Sequence, residues 1–198
     1  GHEMSGRIAV LGEGVEDLLE GQAVTVMPLD ACGNCPACLA GHGHICHALD
    51  FVGIETPGAL QELWNVPAAL GVPVPDHVPL REAALVEPLA VACHDVRRAR
   101  LAKGEFAVVI GGGPIGQLIG LVASAGGAEV LILEPNPERR ALSARLGLEA
   151  IDPFSVDAPA VVEQRTGGAG ADVVFEVAGI APTALQSVDF ARVRGRVV

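Results

Sequence analysis

Phe106-Ala107-Val108-Val109-Ile110-Gly111-Gly112-Gly113-Pro114-Ile115-Gly116 sets a G-x-G-x-x-G directly after a short apolar run and directly before an apolar helical stretch. That context gives the motif its weight. Gly111 permits a tight turn, Gly113 lets the backbone approach a pyrophosphate, and Gly116 lets the helix pack close to the strand. Pro114 and Ile115 open the helix, whose N-terminus offers free N–H groups and a positive dipole end to an anion. The alternative is a glycine-rich strand–helix turn with no ligand. Against it stands Glu134, an acid at the expected distance of about 20 residues, at the end of the next strand. A carboxylate there accepts hydrogen bonds from ribose hydroxyls and repels a 2′-phosphate, which favours NAD over NADP. Arg139 has three readings: stacking on adenine, countering a 2′-phosphate, or lying solvated on a helix face.

Outward from this turn, strand and helix patterns alternate. Strands are expected at Phe106–Ile110, Glu129–Glu134, Ala150–Asp152, Ala171–Val177 and Arg196–Val198. Helices are expected at Ile115–Ala125, Pro137–Leu146, Asp157–Arg165 and Pro182–Arg192. Alternating βαβ units imply an α/β fold with a doubly wound parallel sheet. Ala107–Gly127 is uncharged and long enough to suggest a membrane span, but seven glycines and Pro114 break it into strand, turn and helix. Upstream, Arg7–Leu11, Ala23–Pro28, Leu60–Val66 and Val72–Val74 read as short strands. Frequent prolines exclude long helices there, giving a small irregular β-domain. A connecting helix is expected from Leu89 to Arg100, with the boundary between residues 1–95 and 96–198.

Of 198 residues half are hydrophobic, so a sizeable core is available, and the formal net charge of −11 argues against nucleic acid and anionic membrane surfaces. Aromatics are 3% and tyrosine is absent, which removes stacking platforms for single strands. No signal-type start is present, and a reducing, cytoplasmic setting fits best. The chain opens Gly1-His2-Glu3 and ends Gly195-Arg196-Val197-Val198, and both ends read as interruptions of ordered elements.

Cys32, Cys35, Cys38 and Cys46 follow C-x2-C-x2-C-x7-C spacing. A structural zinc site is a closed tetrahedron of such thiolates, and the glycines and Pro36 between them allow the backbone to turn. Iron–sulfur ligation and disulfides, strained at this crowding, are the alternatives the spacing leaves open.

The order of cysteine lobe, linker and G-x-G-x-x-G resembles the zinc-dependent medium-chain dehydrogenase/reductase family, in its alcohol and polyol branch that includes sorbitol, butanediol and threonine dehydrogenases. Gly1-His2-Glu3, Pro57-Gly58-Ala59-Leu60-Gln61-Glu62, Glu87-Pro88-Leu89-Ala90-Val91-Ala92 and Gly170-Ala171-Asp172-Val173-Val174-Phe175-Glu176 carry the likeness along with the two motifs. The resemblance implies a GroES-like domain ahead of a Rossmann domain, each incomplete here, and a homo-oligomer in the complete protein, associating through the nucleotide-domain sheet edge. It implies a catalytic zinc held by His2 and Glu87, with Glu3 as a ligand or a supporting group. It also implies hydride transfer from a secondary alcohol or polyol to NAD. His2 alone would be a surface histidine, and Glu87 alone a helix-start carboxylate. The family's first catalytic cysteine and its proton-relay hydroxyl lie upstream of Gly-His-Glu, so the expectation is that the lobe zinc is held and the catalytic position left empty or loosely filled. Two further readings stand beside this one: a zinc-stabilised nucleotide-binding module without catalysis, and a quinone-reductase-like relative, against which the four cysteines count.

Overall fold

The central strands of the second half are buried almost throughout, and successive side chains enter two different cores, the pattern of a sheet covered on both faces. The computed structural model describes residues 1–198. It divides into two units, Gly1–Glu87 and Pro88–Val198.

In the first unit β1 (Gly6–Arg7), β2 (Ala23–Val26), β3 (Leu29–Asp30), helix α1 (Pro36–Leu39), β4 (Asp50–Phe51), β5 (Gly71–Pro73) and helix α2 (Leu80–Ala83) are short pieces joined by turns. The antiparallel sheet runs β1-β2-β5, with Val24 opposite both Gly6 and Pro73, and β3 pairs with β4. Pro73 lies on an edge strand, where a missing N–H is tolerated. Two small cores serve this unit: Ala23, Val74 and Ala83, and Val26, Val52 and Leu70 with Met4, Trp64 and Val66 packed against them.

The expected strand Leu60–Val66 does not form. Leu60 and Leu63 are 93% and 74% exposed. The Gln61 side-chain amide donates to the Gly58 carbonyl and the Trp64 indole N–H to the Pro57 carbonyl, at 2.7 and 3.0 Å. Local side-chain bonds of this kind replace a ladder. Of the Arg7–Leu11 stretch only Arg7 is in a strand.

Helix α3 (Val86–Arg98) starts three residues earlier than Leu89, with Pro88 in its first turn, where a missing N–H costs nothing. Then follow β6 (Phe106–Ile110), α4 (Pro114–Ala125), β7 (Glu129–Leu133), α5 (Pro137–Arg145), β8 (Glu149–Ile151), α6 (Ala158–Thr166), β9 (Ala171–Glu176), α7 (Ala181–Phe190) and β10 (Ala191–Val197). The five strands lie in the order β10-β9-β6-β7-β8, all parallel. Ala107, Val109, Val130, Ile132, Val173 and Phe175 pack with Ala92 of α3 and Ile119 and Ala123 of α4. Phe106, Val108, Ile110, Leu131, Leu133 and Val174 pack with Val162 of α6 and Phe190 of α7. This is the doubly wound arrangement. Each fully buried Val, Leu, Ile or Phe contributes roughly 1.5–3 kcal/mol.

The last strand begins at Ala191, not Arg196, because its pairing with β9 shifts between Ala191 and Arg196, where Arg194 takes a positive φ of 64°. Two arginines anchor it. Arg192 Nε donates to Asp172 at 2.6 Å, and Arg196 reaches the Ala99 and Arg100 carbonyls at 2.9 and 2.7 Å. No helix is long and apolar enough to cross a membrane.

Candidate dinucleotide and metal sites

The strand order reverses between β6 and β9, and in sheets of this kind ligands bind in the crevice outside the strand ends at that reversal. The glycine motif lies there. Gly111 has φ +107°, open to few residues but glycine. A Cβ on Gly116 would run into the Gly111 carbonyl and lie 3.3 Å from Val177 Cγ2. Gly113 differs: its backbone is extended, and a Cβ there would meet nothing within 4 Å. No protein atom claims that space, so the turn is open on that side. No side chain caps α4, so the N–H groups of its first turn, which includes Ile115, are left for a ligand.

Glu134 is 3% exposed. Its Oε2 accepts the Gly112 N–H and its Oε1 the Asn136 N–H, each at 2.7 Å. The carboxylate therefore braces the glycine turn against the start of α5, whose Asn136 side chain caps Glu138 and Arg139. Each carboxylate oxygen keeps acceptor capacity for a hydroxyl. Arg139 is half exposed, with Nη1 3.5 Å from Glu134 Oε2. Arg140 turns the other way and donates to the Glu134 and Pro135 carbonyls at 2.9 and 2.6 Å.

The four sulfurs of the cysteine lobe converge. Sγ–Sγ separations are 3.5 Å for Cys35–Cys38, 3.9 Å for Cys35–Cys46 and 3.4 Å for Cys32–Cys46. Sulfurs at about 2.3 Å from one ion define a tetrahedron with edges of about 3.8 Å, while a disulfide bond is about 2.05 Å. All four are free thiols. They surround a single centre, whereas a cluster spreads its thiolates over several irons, so the lobe fits zinc. Backbone N–H groups of Cys32 and Ala48 point at Cys46 Sγ, and that of Cys38 at Cys35 Sγ. The N–H groups of His47 and Cys38 hold the Cys35 thiol down to about 6, and that of Asn34 lowers Cys32. Burial, then the neighbouring Cys35, pushes Cys38 up to about 12.

His2, Glu3 and Glu87 bring one ligand atom each to within 4.8 Å of one another. His2 packs edge-on against Phe51 at 5.0 Å, and its Nδ1 is buried without a hydrogen-bond partner. Burial raises the Glu87 carboxyl and Glu3 adds to this, while His2 opposes it. Two converging carboxylates and an unpartnered imidazole nitrogen suit a divalent cation. The segment is tied down: the Gly1 amino group donates to the Gly53 carbonyl at 2.8 Å, and the Gly1 carbonyl accepts the Ala59 N–H at 2.9 Å. The four lobe cysteines, the three acidic and imidazole groups, and Glu134 with the glycine turn are thus each assembled as sets. Phe51 and Gln117 were not singled out in the sequence. Gln117 left a signal, as the one amide in the apolar run Ile115–Val122.

Residues 1–76 match the alcohol dehydrogenase GroES-like domain, and residues 114–198 the zinc-binding dehydrogenase domain. The chain is 54% identical over its whole length to 2-dehydro-3-deoxy-L-galactonate 5-dehydrogenase of Pseudoalteromonas atlantica, and 38% identical to L-galactonate-5-dehydrogenase of Escherichia coli. It spans 58% of the length of each. A zinc-binding dehydrogenase structure from Sinorhizobium meliloti 1021 bound to NADP superposes on all of this chain and 59% of its own, with TM-score 0.92 and 33% identity. The four-sulfur lobe ahead of a glycine-turn nucleotide sheet and the two domain matches agree, and the chain belongs to the zinc-dependent medium-chain alcohol and polyol dehydrogenases.

Proposed function

We propose that the protein of which this chain forms part or whole transfers a hydride from a secondary alcohol of a polyol or sugar acid to NAD. The observation that carries it is the His2–Glu3–Glu87 cluster. A four-sulfur lobe and a nucleotide turn would serve a binding module equally well, but an open set of imidazole and carboxylate ligands has no structural duty of that kind. A zinc ion held there would supply Lewis acidity toward the oxygen of a bound alcohol, the chemistry that makes such an alcohol a hydride donor to a nicotinamide. In this reading His2 and Glu87 hold the ion, and Glu3 either binds it directly or supports a group that does. Cys32, Cys35, Cys38 and Cys46 hold a structural zinc.

On the nucleotide side, Gly111, Gly113, Pro114, Ile115 and Gly116 form the pyrophosphate turn and Glu134 takes the ribose hydroxyls. Arg139 lies beside Glu134 and partly offsets its charge, so the preference for NAD over NADP rests on the carboxylate's acceptor oxygens. The relatives named above oxidise galactonate-type acids at C5 by their names, and a six-carbon polyhydroxy acid is the substrate class proposed here. A reducing cytoplasmic setting, in keeping with five free thiols, and a homo-oligomer belong to the same reading.

The test is NADH formation with a panel of aldonic acids, sugar alcohols and diols, with zinc counted in parallel. His2→Ala is expected to abolish turnover while keeping the lobe zinc. Undiminished turnover in His2→Ala overturns the ligand assignment. NAD binding with no turnover of any panel member in the full-length protein favours the non-catalytic module.

A further inference from the structure

We propose that Gln117 is a positioning residue for the dinucleotide pyrophosphate: its buried amide draws the Gly112 carbonyl inward and thereby turns the Gly113 N–H outward to the phosphate. The inference rests on the nucleotide reading of the glycine turn. Gln117 is 4% exposed on α4. Its Nε2 donates to the Gly112 carbonyl at 3.0 Å and to Ser143 Oγ at 2.7 Å, and lies 3.3 Å from the Arg139 carbonyl, which shares one of its two hydrogens. Ser143 is fully buried and donates its own hydroxyl to the Arg139 carbonyl at 3.1 Å. Two of the three groups facing the amide are carbonyls that only accept, so the NH2 end must point there. The other end, Oε1, is buried without a partner. A buried acceptor left unpaired is costly and calls for an explanation.

The peptide geometry supplies one. Glu134 accepts the Gly112 N–H at 2.7 Å, so both polar groups of Gly112 are held inside. The chain has no cis peptide, and in a trans peptide the N–H of one residue points opposite to the preceding C=O. With the Gly112 carbonyl fixed on Gln117, the Gly113 N–H faces away from the protein interior. It donates to no protein atom, and it borders the space that a Cβ on Gly113 would leave uncontested. An apolar residue at 117 leaves the same helix and glycines but frees that peptide to rotate.

The experiment compares wild type with Gln117→Met, which keeps length and volume, and with Gln117→Leu, measuring Kd for ADP and for adenosine. Losing one oriented hydrogen bond to a charged phosphate is expected to weaken ADP about ten- to a hundred-fold and to leave adenosine, which has no phosphate, within about two-fold. Equal weakening of both ligands shows a general loss of packing and overturns the proposal, as does unchanged ADP affinity. If neither variant folds, the Gly113 amide proton of the wild type is followed by NMR: a shift with ADP and none with adenosine supports it, and no shift with ADP overturns it. Failure of wild type to bind ADP or NAD at all overturns the nucleotide reading itself, and this inference with it.

Discussion

Replacing Glu134 by glutamine tests two roles of one side chain at once. The carboxylate, 3% exposed, accepts two backbone N–H groups at 2.7 Å through different oxygens and meets Arg139 at 3.5 Å. An amide has one oxygen, so in Glu134→Gln either the Gly112 or the Asn136 N–H faces an NH2 group. A buried donor left unsatisfied costs about 1–3 kcal/mol. In a chain of this size each kcal/mol lowers Tm by about 2–4 °C, giving a fall of about 2–12 °C. NAD affinity loses a hydrogen bond between ribose and a charged group, about 1.5–3 kcal/mol or ten- to a hundred-fold. NADP lacks the 2′-hydroxyl that makes this bond, so the NAD/NADP ratio of Kd values should narrow by about ten-fold or more. Circular dichroism melting gives the first quantity and calorimetric titration with both nucleotides the second. An unchanged Tm refutes the bracing role, and an unchanged ratio refutes cofactor selection by Glu134.

Cys35→Ser should lose the lobe zinc on dialysis and open residues 32–46 to protease, because metal-binding free energy at such sites is folding free energy; retained zinc, or iron in the wild type, contradicts the assignment. Gly116→Ala should abolish measurable NAD binding, since its Cβ meets the Gly111 carbonyl, and wild-type affinity in that variant would show that the turn yields. Burial alone would raise the Asp172 carboxyl, but the Phe106 N–H and Arg192 outweigh it and hold it below the ordinary range. A depressed folded value stabilises above the unfolded pKa of about 3.9 and is lost as pH falls through the folded value. The Tm gap between wild type and Asp172→Asn should therefore be full at pH 6 and close below about pH 4, and a gap constant down to pH 2 contradicts this.

The strands and helices of the second unit were legible because each signal is local and redundant. Val108 and Val109 point to opposite cores, and either face alone would have marked β6. The glycine turn was legible for the same reason. Leu60–Val66 failed because its apolar residues, Leu60, Leu63, Trp64 and Val66, have no ladder partner to receive them, and a sequence shows such residues but not the partner. The end of the sheet was misplaced at Arg196 because a bulge at Arg194 breaks the periodicity that marks a strand. At the candidate site Glu134 was found by its spacing, but its bonds to Gly112 and Asn136 depend on how a strand end meets two helix starts, which no periodicity encodes.

The two ligand sets differ in where their order comes from. The lobe draws four sulfurs from one short loop, so closing it costs little chain entropy and an ion can organise it locally. His2 and Glu87 are separated by most of the first unit. Loop closure scales as (3/2)RT ln n, so joining them costs about 1.6 kcal/mol more than joining the ends of the lobe. The fold meets that cost in advance, through the Gly1 bonds to Gly53 and Ala59 and the packing of His2 on Phe51. A metal at the lobe therefore stabilises structure, while a metal at His2 and Glu87 depends on structure already formed. On the function proposed above, that asymmetry suits a catalytic position: ligands held by the protein rather than by the ion would leave part of the ion's coordination open for a substrate.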